Sequence, residues 1–230
     1  AAIASAASSA VAKIVVSARD LPLRVHLTAG WRPGADGRPQ ALFWTVGEVA
    51  DRIPGSDLEA IVTAASGELV ASTRGRIAPG TTSVILTVLP GQAVQGGDYL
   101  VRVRSQSPSG TETVSMPITL PAASQSTGAV FYRRGPSTGN KDVPTADLRF
   151  RRNDRLRVEV PATADAASAR LLDRTGKPLA VPVTAATRTD VDGTRWATGE
   201  LALAPLAPAD YVVEVSVGDT RTMAAFRIVP

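Results

Sequence analysis

The chain has 230 residues, a formal net charge of +4, 44% hydrophobic and 20% charged residues, 19 Gly, 17 Pro, no Cys and a single His. That is the composition of a globular protein, with length for one large domain or two of about 100 residues. It excludes a helical membrane span, since no run reaches the ~18 apolar residues one needs, and with it a disulfide framework, a thiol nucleophile, Cys-ligated zinc and any mechanism using two imidazoles.

Residues 1–18 are small and apolar, with Lys13 their only charge. The first residue is not Met, as expected of a processed chain, and the basic start of an intact signal peptide is missing. Ile3, Ala7, Ala10, Ile14 and Ser17 recur at helical spacing, with Val11 and Val15 beside them, which predicts a short helix. The β-branched run 11–17 leaves a strand as the alternative. Either form needs an apolar partner surface, expected on chain upstream of Ala1.

From Leu21 the period changes to two. Leu23, Val25 and Leu27 alternate with Arg24, His26 and Thr28, the pattern of a strand with one wet face. Further β runs follow at 41–49, 58–65, 68–73, 83–89, 98–106 and 112–120. Ser66-Gly67 predicts a tight hairpin, and Asp36-Gly37 and Pro90-Gly91 mark other turns. Residues 121–128, small and polar, read as a linker between domains. A second β series starts at Ala129 and continues through 147–151, 155–160, 168–173, 178–184, 194–203, 210–217 and 221–229. Its longest loop, 134–144, is too rich in turn formers for regular structure.

The halves read as copies of one plan. Gly67 and Gly176 close equivalent hairpins, and Gly97-Asp98-Tyr99 parallels Ala209-Asp210-Tyr211 at a similar separation. A period near 110 residues is one sandwich, not one solenoid repeat. The predicted fold is all-β: two tandem immunoglobulin-like or fibronectin-III-like antiparallel sandwiches over 21–120 and 129–230, preceded by an apolar extension over 1–20. Tyr99 and Tyr211 are predicted tyrosine corners, each two residues before an inward valine, Val101 or Val213.

The strongest charge feature lies at 133–157, with eight basic residues against Asp142, Asp147 and Asp154, a local charge of +5. Its centre holds Arg149, Arg151, Arg152, Arg155 and Arg157. Arginines in such a row suit phosphates or sulfated glycans. They equally suit a strand–turn–strand with Phe150 and Leu156 inward, Asn153-Asp154 turning, and the arginines paired with acids on the wet face. One interleaved Phe is too little aromatic surface for nucleic acid. Adjacent Phe43 and Trp44 must point to opposite faces of a strand, so Trp31 and Trp44 read first as core or linker packing, with a glycan or partner contact as the alternative. His26 has no second His or Cys to share a metal and reads as a surface residue. Asp190-Val191-Asp192-Gly193 lacks the remaining oxygen ligands of a calcium loop and reads as a hairpin turn. No nucleophile elbow, phosphate loop or dinucleotide fingerprint occurs. The expectation is a chain that is not an enzyme and holds no metal or cofactor.

The runs 131–139 (FYRRGPSTG), 143–147 (VPTAD), 150–152 (FRR), 157–161 (RVEVP), 169–176 (ARLLDRTG) and 201–208 (LALAPLAP) resemble the C-terminal region of bacterial von Willebrand factor A-related proteins of the Acidobacteria type. The opening 20–25 (DLPLRV) resembles the segment that leaves the A domain there. The likeness spans residues 20–230 and is densest in the second half. It implies secretion or display at the cell surface and a β-sandwich appendage to an adhesion-type domain. The Asp-x-Ser-x-Ser motif of that domain's metal site does not occur in this chain. The function expected is an exported structural or adhesion-type module pair that spaces, displays or assembles a larger protein, with protein partners or self-association. The alternatives are recognition of polysaccharide or another anionic partner, and a filament subunit that inserts residues 1–18 into a neighbour, as a donated strand if they are extended.

Overall fold

The computed structural model describes residues 2–19, 25–33, 41–49, 54–90, 94–120 and 128–230. The chain divides into two compact units. The main body of one is residues 23–128; that of the other is residues 1–22, 129–143 and 147–230. Both are β-sandwiches, and no described helix is long and apolar enough to cross a membrane.

The first sandwich is built from β1 (Val25–Pro33), β2 (Ala41–Val49), β3 (Ser56–Ala64), β4 (Leu69–Ile77), β5 (Ser83–Val88), β6 (Gly97–Ser107) and β7 (Gly110–Leu120). They form two antiparallel sheets, β1-β2-β5 and β4-β3-β6-β7. Period two fixes which residues are buried. In β3, Leu58, Ala60 and Val62 are buried, and in β6 Val101 and Val103, while Arg102 and Arg104 between and after the valines are exposed. The Ser66-Gly67 hairpin forms as its sequence demands, with Gly67 at φ +86° and its N–H donating to Ala64 O at 2.9 Å. Because the turn is so short, β4 pairs with β3 in the same sheet.

The second sandwich contains β8 (Val130–Arg134), a single 3-10 turn at Pro136–Thr138, β9 (Val143–Thr145), β10 (Arg149–Arg151), β11 (Arg155–Pro161), β12 (Ala167–Asp173), β13 (Thr184–Thr189), β14 (Arg195–Ala202), β15 (Asp210–Val217) and β16 (Thr220–Val229). One sheet runs β13-β14-β11-β8-β9 and the other β10-β16-β15-β12, with β10 parallel to β16. Between the sheets lie Leu156, Val158, Leu171, Leu201, Val213 and Val215, with an aromatic centre of Phe150, Tyr211 and Phe226. Phe150 meets Phe226 edge-on at 6.0 Å, and Tyr211 stacks on Phe226 at 5.8 Å.

The two copies of the plan differ in their fourth strand. The expected strand 178–184 is absent; one bridge, Leu172 to Pro178, follows the hairpin, and β13 begins only at Thr184. Pro178 and Pro182 have no N–H to give to a ladder beside β12. The chain therefore crosses to the other sheet and pairs with β14. The first sandwich thus has sheets of three and four strands, and the second has sheets of five and four.

The N-terminal segment is a helix, α1 (Ala2–Arg19), not a strand. The apolar partner surface that it needs lies within this chain. Ala7 and Val11 are buried with Leu172, Val212 and Ala225 on the outer face of β12, β15 and β16, and Ile3 and Ala10 pack against them. Extension and second sandwich thus form one unit. The expected linker 121–128 lies outside the described residues except for Gly128.

Candidate functional site

The arginine-rich stretch is where charge is most concentrated, and the structure divides it. Arg149 and Arg151 belong to β10 in one sheet, Arg155 and Arg157 to β11 in the other, and Arg152-Asn153 turn between them. Phe150 and Leu156 are fully buried, as period two requires, so the arginines alternate outward. A continuous basic strip does not form.

Four of the five arginines are occupied. Arg149 grips Asp147 with two bonds of 2.8 and 3.0 Å, a fork matched to a carboxylate. Arg152 donates twice to Ala204 O, at 3.1 and 2.6 Å. Arg155 lies 3.2 Å from Glu200. Arg157 pairs with Asp142 at 2.7 Å and with Glu159 at 3.0 Å, and stacks over the Tyr132 ring at 4.3 Å. Only Arg151 of the five makes no side-chain bond among the described residues.

Arg151 stands at a cleft of about 520 Å³ lined also by Arg133, Ser137, Arg149, Asn153 and Asp154. The cleft walls are held from within. Arg133 donates to the carbonyls of Asp147 and Arg149 at 3.0 and 2.8 Å, and its guanidinium covers Phe150 at 4.9 Å. Asp154 is buried and accepts from Arg151 N at 2.9 Å. Gly135 passes so close that a Cβ there would sit 2.3 Å from Asp154 Oδ1, which ties the 134–144 loop to the β10–β11 turn.

A second network, unanticipated from the sequence, lies on the outward side of β8, β11, β13 and β14. Glu159 is only 1% exposed, yet it faces outward between Arg157 and Arg188. Arg188 reaches both its oxygens, at 3.0 and 2.6 Å, and pairs also with Asp190. Asp190 in turn accepts Trp196 Nε1 at 2.8 Å, and Arg188 lies over the Trp196 ring at 5.8 Å. These acids hold the Arg188 guanidinium more firmly protonated than usual, against the opposing effect of its burial. Tyr132 is pushed up to about 12, first by burial and then by the charge of Glu159. The alternation of Arg157 and Glu159 along one strand face was the available signal. Their partners Arg188 and Asp190 come from a strand displaced by Pro178 and Pro182, which is why the network stayed hidden.

Both tyrosines make the corner bond. Tyr99 donates to Gln95 O at 2.8 Å and Tyr211 to Ala207 O at 2.9 Å, while Val101 and Val213 point into their cores. Each bond closes a loop of the same length onto a late strand. Of the two readings of the tryptophans, the contact reading is corrected and packing is what forms: Trp31 and Trp44 are each 4% exposed. Indoles contribute most when their large apolar area leaves water, and in β2 Trp44 shares its side with buried Val46. The Phe43 side chain lies outside the described residues. His26 is half-buried opposite Glu48 and not a freely exposed residue.

Asp192-Gly193 forms the predicted hairpin turn, with Thr194 N–H donating to Asp192 Oδ1 at 2.9 Å and Gly193 at φ +80°. Among the described residues no group of three metal-ligating side chains converges. No protein-family model matches the chain, and no curated protein matches it either.

Proposed function

We propose that this chain is a non-catalytic pair of β-sandwich modules from an exported or cell-surface protein, serving to space, display or assemble larger structure. The resemblance to the C-terminal region of von Willebrand factor A-related proteins supplies the setting, with an adhesion-type domain upstream as the functional partner. The observation that carries the reading is the internal use of charge. Arg149, Arg152, Arg155 and Arg157 are bonded to acids or carbonyls of the same unit, so the +5 stretch fastens the 134–144 loop and neighbouring strands together. A phosphate or sulfate reader instead leaves its arginines free to exchange counterions for ligand.

One observation favours recognition as the second reading: the cleft beside Arg151, with Ser137 and Asn153 as additional donors. A titration with a sulfated polysaccharide at low ionic strength separates the two. The scaffold reading predicts no saturable binding. Saturable binding that weakens with salt and disappears in Arg151→Ala would establish recognition in its place.

A further inference from the structure

The four-stranded sheet of the first sandwich turns one face to its core and the other to water, and charge on the wet face is unevenly matched. On β3 and β4 the arginines have acids: Arg74 reaches Glu59 at 3.2 Å, and Arg76 lies 3.7 Å from Asp57. On β6 they do not. Arg102 and Arg104 are exposed at alternate positions, and Arg102 makes one long bond of 3.4 Å to Ser115 Oγ. Arg104 makes no side-chain hydrogen bond or ion pair among the described residues. Glu59 stands in register with Arg104, but it is the acid that Arg74 holds.

The neighbouring strand β7 supplies no free acid beside these arginines. It sets Ser115 and Thr113 opposite Arg102 and Arg104, both short and exposed, whereas Glu112 lies opposite buried Ser105 on the core side. At the far end of the face, Asp98 accepts the Thr119 hydroxyl at 2.7 Å. Two guanidiniums therefore stand about 6.8 Å apart, two residues along one strand, beside a shelf of hydroxyls. The same face continues into apolar surface. Leu100 is two residues before Arg102, Ile61 is directly across from Arg102, and Leu69, opposite Thr63, is 59% exposed.

We propose that this face, centred on Arg102 and Arg104, docks an acidic protein partner through a strand that carries an apolar residue and then two carboxylates at alternate positions. Charge complementarity selects the acids, and the spacing selects a strand. Alternate residues of any extended chain repeat at the same ~6.8 Å, so each guanidinium meets one carboxylate without bending either backbone. The apolar end favours a protein over a polysaccharide. Leu100, Ile61 and Leu69 offer nothing to a sulfate, while arginine beside exposed apolar surface is the composition of protein interfaces. This inference rests on the assembly role proposed above and names the partner's chemistry; docking here can fail while spacing and display stand.

The test uses the full chain and a synthetic β-hairpin peptide that presents Leu, Glu and Glu at alternate positions of one face, with binding read by fluorescence anisotropy at low ionic strength. Wild type should bind the hairpin saturably, and a version with Gln for Glu should bind far less. The double variant Arg102→Ser/Arg104→Ser should weaken binding at least about tenfold. Arg174→Ser/Arg221→Ser removes the same charge from exposed positions of the second sandwich and should bind as wild type does, as should Arg151→Ala. No saturable binding, or an equal loss in the Arg174/Arg221 variant, would overturn the proposal. So would a sulfated polysaccharide that displaces the hairpin and depends on the same two arginines, which would make the face a general polyanion site. Light scattering covers the remaining occupant: a wild-type dimer that the Arg102/Arg104 variant dissolves would put a second copy there and overturn the proposal as well. Circular dichroism verifies that the variants keep their strands.

Discussion

Glu159→Ala should lower the unfolding free energy of the second sandwich by about 2–3 kcal/mol, placed below the range for a wholly buried pair because Arg157 and Arg188 retain some access to water. The carboxylate is 1% exposed and sits between the two guanidiniums, 3.0 Å from Arg157 and 2.6 Å from Arg188 at its nearest atoms. Removing it leaves the two cations, on β11 and β13, facing one another with Asp142 and Asp190 on their far sides. Urea unfolding followed by circular dichroism measures the loss, which should appear as a lower midpoint with an unchanged slope. Glu159→Gln, which keeps an acceptor oxygen, should lose less.

The same substitution has a spectroscopic signature. Burial and the Glu159 charge both raise the Tyr132 pKa, to about 12, while Arg188 and Arg157 oppose them. Without Glu159 the two arginines act alone against burial, so the tyrosinate absorbance should rise at lower pH. The raised native value also fixes the sign of the pH dependence. The unfolded chain releases this proton near its ordinary pKa of about 10, before the folded chain does, so stability falls as pH climbs past that value. The fall should be smaller in Glu159→Ala. An unchanged tyrosine titration would mean that the carboxylate does not act on this ring.

Phe226→Ala should cost about 3–5 kcal/mol, the range for emptying a large aromatic site in a packed core. Phe226 is fully buried and touches both other rings of the cluster, Phe150 edge-on and Tyr211 face to face. The cavity would open beside Tyr211, whose hydroxyl closes the Ala207 corner. Coupling is therefore expected: in a double-mutant cycle, Phe226→Ala and Tyr211→Leu together should lose less than the sum of the two alone by at least about 0.5 kcal/mol. Independent, additive losses would show that the corner does not lean on the aromatic centre.

The strands were legible because alternation survives without knowledge of the partner. β2, β6, β7, β11 and β15 lie within a few residues of the runs that period two marks out. The corner tyrosines were legible too, since their place relative to Val101 and Val213 is a local property. What stayed hidden depends on partners distant in sequence. The segment 178–184 looks apolar and alternating, yet its prolines send the chain across to the other sheet. Trp31 and Trp44 left a surface contact open as the alternative to packing because sequence cannot say which face of a sheet is covered. The surface that receives α1 is formed by Leu172, Val212 and Ala225, more than 150 residues from Val11, and each of them reads as ordinary core beside an inward neighbour. The arginine stretch showed its charge at once. Its neutralisation needed Glu159 and Glu200, which lie outside it, and the fold that brings them near.

The most direct measurement of the central account compares Arg157→Ala and Arg151→Ala in chemical unfolding. Arg157 bonds to Asp142, pairs with Glu159 and covers Tyr132, whereas Arg151 makes no side-chain bond among the described residues. Arg157→Ala should therefore lose about 1.5–3 kcal/mol, the scale of hydrogen bonds to charged groups. Arg151→Ala should stay within about 0.5 kcal/mol of the wild type, as surface substitutions do. Equal and negligible losses for the two would contradict the account: the arginines would then be spectators of the fold, and their charge would have to be explained by something they bind.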